Sequence, residues 1–197
     1  MNRCFPWNRT QKLRDFLKPE SRVLALSALD AAFLLELGHP AAQVFRGEIG
    51  ESEGFDLVTA FFAPYDRKEV YRLLKPGGYF LTEQLGGETA AQLFAALGIS
   101  RILPEDFNLE NESERFLQDG FTLNFRDQFF APVDFAGAED IQQYISETPE
   151  IFGALSGEDA GALRRNAERL FAGHSPAGSP IRDFEHRFIL IARKRKA

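Results

Sequence analysis

"FDLVTAFFAPYDRKEVYRLLKPGGYFLTEQLGG", Phe55 to Gly87, reads as three elements in succession. Phe55 to Phe62 is a short, almost unbroken apolar run, the pattern of a strand buried on both faces. Asp66 stands where a helix N-cap belongs, and Val70, Leu73 and Leu74 follow at helical spacing. Lys75-Pro76-Gly77-Gly78 should break that helix, and Tyr79 to Leu85 is a second strand. Strand, helix and strand joined by links this short predict a parallel sheet with helices on its faces.

The flanks extend the alternation. Upstream, Thr10 to Leu17 suits a short helix ended by Lys18-Pro19, and Arg22 to Leu26 a strand. A helix from Ala31 to Leu37 stops at Gly38 and Pro40, and Gln43 to Arg46 suits a second short strand. Gly47 to Gly54 is a polar turn. Downstream, Gly86-Gly87 leads into a helix from Thr89 to Leu97, and Asn111 to Gln118 is another. Phe121 to Arg126 alternates as a half-buried strand. Ala138 to Phe171 reads as one or two helices, interrupted near Pro149 and from Gly153 to Gly157. A loop from Gly173 to Pro180 precedes a last strand, His186 to Ala192. The pattern predicts an α/β three-layer sandwich whose mostly parallel sheet is closed by an antiparallel hairpin. It is one domain over 1–197, with a helical insert or lid over 136–180.

Composition narrows the function classes. With 197 residues, 44% of them hydrophobic, the chain can bury one sizeable core. No apolar run approaches the roughly 20 residues that span a bilayer, and MNRCFPWNRTQKLRDF has no signal-peptide core. A cytoplasmic protein without membrane attachment is expected. The single cysteine, Cys4, excludes an internal disulfide and a cysteine-based zinc site. A net charge of −6 gives no electrostatic footprint for nucleic acid, and Arg193-Lys194-Arg195-Lys196 reads as a solvated tail. His39, His174 and His186 show no metal-binding spacing, so metal ligation is not expected.

Phe55 to Gly87 resembles the second half of a class I S-adenosylmethionine-dependent methyltransferase, through the "FDLV" strand, the helix ending in "RLLKPGG" and the strand "YFLTEQLGG". "NLENESERFLQDGFTL" is similar to that family's helix and strand before the closing hairpin, and "EHRFILIARK" to its last strand. The resemblance runs from about Ser21 to Lys194 and implies a Rossmann-like methyltransferase fold with S-adenosylmethionine as cofactor.

Three departures accompany it. The family's first strand ends in an acidic residue and a glycine-rich loop, whereas "LALSALDAAFLLELGHP" places Ala25, Ser27, Leu29 and Ala31 at those positions. Side chains there occupy the space of a close backbone approach to a ligand. Ser27-x-x-Asp30 instead has the form of a capping box, which would satisfy the helix's own N–H groups. Next, Glu48 falls near the family's ribose-binding acid, yet only Ile49 to Gly54 separate it from Phe55. Six residues cannot make a helix and a strand, so the third strand region and one wall of the adenine site are expected to be missing. Last, Ala60, Phe61 and Phe62 stand where relatives carry polar residues, and Phe61, Phe62 and Leu29 are expected to fill the cleft or to serve as ordinary core.

Ser27, Asp30, Glu48 and Ala60 are thus the candidate cofactor-facing positions, in altered form. Asp66 and Glu83 are placed at strand ends where α/β sites lie, without an evident acid–base partner. Phe135, Tyr144 and Phe152 suit either a substrate roof or the core of the insert. The catalytic residues are not legible. Two functions stay open: a non-catalytic binding or interaction module, or an active methyltransferase on a small molecule with an atypical cofactor site. Loss of the third strand leaves the first or second strand as a sheet edge, which predicts a homodimer formed there or through the helical insert.

Overall fold

The computed structural model describes residues 6–41, 44–46, 54–100, 103–148, 157–172 and 180–196. Helix α1, Arg9–Arg14, is capped by the Asn8 side chain, which accepts from the Gln11 N–H at 3.0 Å. Strand β1, Val23–Ala25, is wholly buried and turns through Ser27 into helix α2, Ala28–Glu36. Edge strand β2 is Val44–Arg46 and the buried strand β3 is Phe55–Phe61. Helix α3, Arg67–Leu73, starts where expected because the Asp66 carboxylate accepts from the Glu69 N–H at 3.0 Å. Strand β4 is Leu74–Leu85, followed by α4, Ala91–Leu97, and α5, Leu109–Gln118. The long strands β5, Phe121–Phe135, and β6, Ile181–Lys194, bracket α6, Ala138–Glu147, and α7, Gly157–Ala172.

One six-stranded sheet has the order β2-β1-β3-β4-β6-β5. β1 pairs in parallel with both β2 and β3, and β3 pairs in parallel with β4. On the β5–β6 pair, Thr122 bonds to the Arg193 carbonyl while Phe130 stacks on His186, so numbers rise on one strand as they fall on the other. The hairpin is antiparallel, as expected, though both strands run well beyond the short segments read from the sequence. The order also agrees with loss of the third strand region: β2 forms the edge directly beside β1, and no strand lies outside it among the described residues.

Two local expectations are corrected. Lys75-Pro76-Gly77-Gly78 does not separate α3 from the strand but bulges within β4. The pairing passes from Phe55↔Leu74 to Leu57↔Tyr79, leaving extra residues on β4, and Gly77 takes a left-handed φ of 81° to close the loop. Nor is the C-terminal basic run a solvated tail throughout. Arg193 donates to the Gly77 carbonyl at 3.1 Å and Lys194 to the Leu74 carbonyl at 2.7 Å, so two of its cations fasten that bulge.

The chain forms two compact units. The first comprises 1–84, 109–129 and 188–197. On one face of its sheet, Leu13 of α1 and Ala31 and Leu34 of α2 pack with Val23, Ala25, Leu57, Phe61 and Leu81. On the other face Phe116 of α5 stacks on Phe80 with ring centroids 5.5 Å apart, beside Tyr65 and Phe121. The second unit comprises 85–108 and 130–187. Here Ala90 precedes α4 in a left-handed conformation without a local cap, and Asp183 supplies one, accepting from the Leu93 N–H at 2.8 Å. Thr89 both donates to the His186 carbonyl and accepts from its N–H. Phe135 meets Tyr144 edge to face, which makes them core of this unit; Phe152 lies outside the described residues.

Candidate functional site

The sheet order reverses direction at β1, which has β2 on one side and β3 on the other. In open α/β sheets the crevice at the carboxyl ends of the strands, at such a reversal, is where ligands bind. The β1–α2 turn meets the end of β3 there. Leu26 donates to the Thr59 carbonyl at 3.0 Å, and α2 begins in the next turn.

Ser27 and Asp30 form the expected capping box. The Ser27 hydroxyl accepts from the Asp30 N–H at 3.0 Å, and one Asp30 oxygen accepts from the Ser27 N–H at 3.2 Å. The other Asp30 oxygen reaches across the crevice and accepts from the Phe61 N–H at 2.9 Å. One carboxylate therefore ties the first turn of α2 to the end of β3. Asp30 is 0% exposed. Burial pushes its pKa up from 3.8 to about 6, against the opposing pull of the Phe61 and Ser27 bonds and the Arg9 charge.

Arg9 belongs to the same place, although it comes from the first helix. Its Nε donates to the Glu83 carboxylate at 2.7 Å, and Glu83 is only 2% exposed. Its guanidinium carbon lies 4.7 Å from the Phe61 ring centroid, 5.3 Å from Phe62 and 5.7 Å from Phe33. Phe61 pairs with Glu83 in the β3–β4 register, so the acid and the rings converge at two strand ends. Phe62, just past β3, has a φ of 52°, a left-handed conformation uncommon for a bulky residue. Nothing in the sequence signals Arg9: it lies 74 residues from its acidic partner, and its helix has no motif.

The other candidates are placed as follows. Ala25 is fully buried in the core, and Ala60 is buried with its carbonyl accepting from Thr82 at 2.7 Å and Gln84 at 3.1 Å. Glu48 lies outside the described residues, as do Cys4 and His174. Leu29 does not fill the cleft; it is 55% exposed, because the capping box turns the adjacent Asp30 inward and leaves Leu29 on the outer side of α2. Phe61 is core, in edge contact with Phe33, while Phe62 is half-buried against Arg9. Asp66 is fully explained as the α3 cap. His39 donates from Nε2 to the Ser21 carbonyl at 2.9 Å, a structural bond. Among the described residues no group of His, Cys, Asp and Glu could hold a metal ion, and no helix is long and apolar enough to cross a membrane.

No family model matches the sequence, and no curated protein matches it either. Solved structures do. The YcgJ protein of Bacillus subtilis matches with a TM-score of 0.52 at 16% identity, over 95% of this chain and 97% of its own. A provisionally assigned methyltransferase of Bacillus halodurans C-125 matches with a TM-score of 0.52 at 17% identity, over 95% and 99%. YjhP of E. coli matches with a TM-score of 0.50 at 17% identity, over 94% and 88%. This chain has the class I methyltransferase fold.

Proposed function

We propose that this protein uses the methyltransferase scaffold without S-adenosylmethionine, as a binding or interaction module. The observation that carries the reading is the Asp30 bridge. The N–H groups of Ser27 and Phe61, which border the ligand crevice, already donate to a buried carboxylate of the chain itself. A nucleoside entering between α2 and the end of β3 would have to break those bonds and leave Asp30 buried without them, which costs the full desolvation of the group. Ala25 adds to this, since a buried methyl gives no partner to a ligand ammonium where the family resemblance leads one to expect an acid. The residues present therefore do not fit the family's cofactor pose, and they support no methyl-transfer step.

Isothermal titration calorimetry on the intact chain tests the reading. Neither S-adenosylmethionine nor S-adenosylhomocysteine should give saturable heat at millimolar concentration. A micromolar dissociation constant for either overturns the reading in favour of an active small-molecule methyltransferase. Catalysis there could rest on proximity and alignment without a distinctive acid–base pair.

A further inference from the structure

Arg9 is held as a bound ligand would be. A planar cation lies within 6 Å of three aromatic rings, the range of effective cation–π contact, and makes a short charge-assisted bond to a nearly buried carboxylate. The cup is built at the carboxyl ends of adjacent parallel strands, the ligand end of such a sheet, and one wall is the backbone-strained Phe62. Its occupant belongs to a different element, anchored separately: Leu13 of α1 is completely buried in the core, whereas the Arg9 side chain is 25% exposed.

We infer that Phe33, Phe61, Phe62 and Glu83 form a site for a guanidinium cation, which the chain fills with its own Arg9 and thereby holds closed. A tethered side chain competes at an effective concentration of millimolar order or higher, so weak external cations are excluded until Arg9 leaves. This site adjoins the crevice of the Asp30 bridge, since Phe61 contributes to both, but it takes a different ligand and is read by a different measurement, so its failure and that of the proposed function are distinguishable.

The test is Arg9→Ala in the full chain, with N-methylguanidinium as probe and N-methylurea as its neutral counterpart of similar shape. Removing the cation should lower Tm by roughly 5 °C, discounted for the partial exposure of Arg9. Low-millimolar N-methylguanidinium should restore at least half of that loss in a saturable way. It should not do so in wild type, nor in Arg9→Ala/Glu83→Gln, and N-methylurea should restore nothing. If Arg9→Ala does not fold unaided, the same comparison is read as refolded yield by circular dichroism. Recovery by agmatine alone identifies a small guanidine as the external ligand, and recovery also by a Gly-Arg-Gly peptide identifies an arginine side chain. Equal effects of the cation and the urea, or no recovery of stability or yield with any guanidinium compound, overturn the inference.

Discussion

Asp30 is where the chemistry of this chain concentrates in one side chain. Its two oxygens are constrained from three directions: the Ser27 N–H, the Phe61 N–H and the field of Arg9. Burial still dominates, and the carboxyl titrates near 6 in the folded chain against 3.8 unfolded. Between those values the folded state binds more protons than the unfolded state, so Asp30 favours folding most at the acid end. That contribution declines as pH rises from about 4 to about 6, then stays level. The change is roughly 2–3 kcal/mol. Asp30→Asn cannot titrate and should lack this slope. Urea unfolding at pH 4 and pH 6.5 should show the variant gaining on wild type by that amount; parallel behaviour would mean Asp30 is not perturbed by burial. The capping box itself was legible in the sequence, because a Ser and an acid three residues apart serve a local backbone need. The third bond, to Phe61, was not, since it joins residues 31 apart in the chain.

At the scale of elements, α1 shows how little of a short helix's stability is its own. Six residues are too few to be helical alone, and Leu13 in the core of the first unit fixes the helix to the sheet. Leu13→Ala should cost about 3 kcal/mol and lower Tm by roughly 10 °C, read by thermal unfolding. A loss below about 2 °C would mean that α1 is held by something other than this anchor. β4 and β6 make a related point. Lys75-Pro76-Gly77-Gly78 has the composition of a helix-ending turn, and becomes a bulge within β4 because the β3 partner strand and the Arg193 and Lys194 side chains receive it. β5 is longer than the segment read from the sequence because its alternation continues past Arg126, with Ala131, Val133 and Phe135 buried on the face of Phe121.

For the whole molecule, the end of the sheet carries the main consequence: among the described residues no strand lies beyond β2. β2 is the end of the sheet order, and an edge strand's outer N–H and C=O groups invite pairing. We expect a homodimer, observed by multi-angle light scattering at micromolar concentration; a monomer under those conditions would count against it. The strand–helix alternation from Ser21 to Leu97, the antiparallel close and the loss of one crossover were all determined by the sequence alone. Each depends on hydrophobic period, turn residues or chain length, which are properties of neighbours. Only the tertiary structure decided that Asp30 bridges to β3 and that Arg9 rests on Glu83 among three rings. Those contacts join residues far apart along the chain, and their strength comes from burial and opposite charge brought together by folding, which no local pattern encodes.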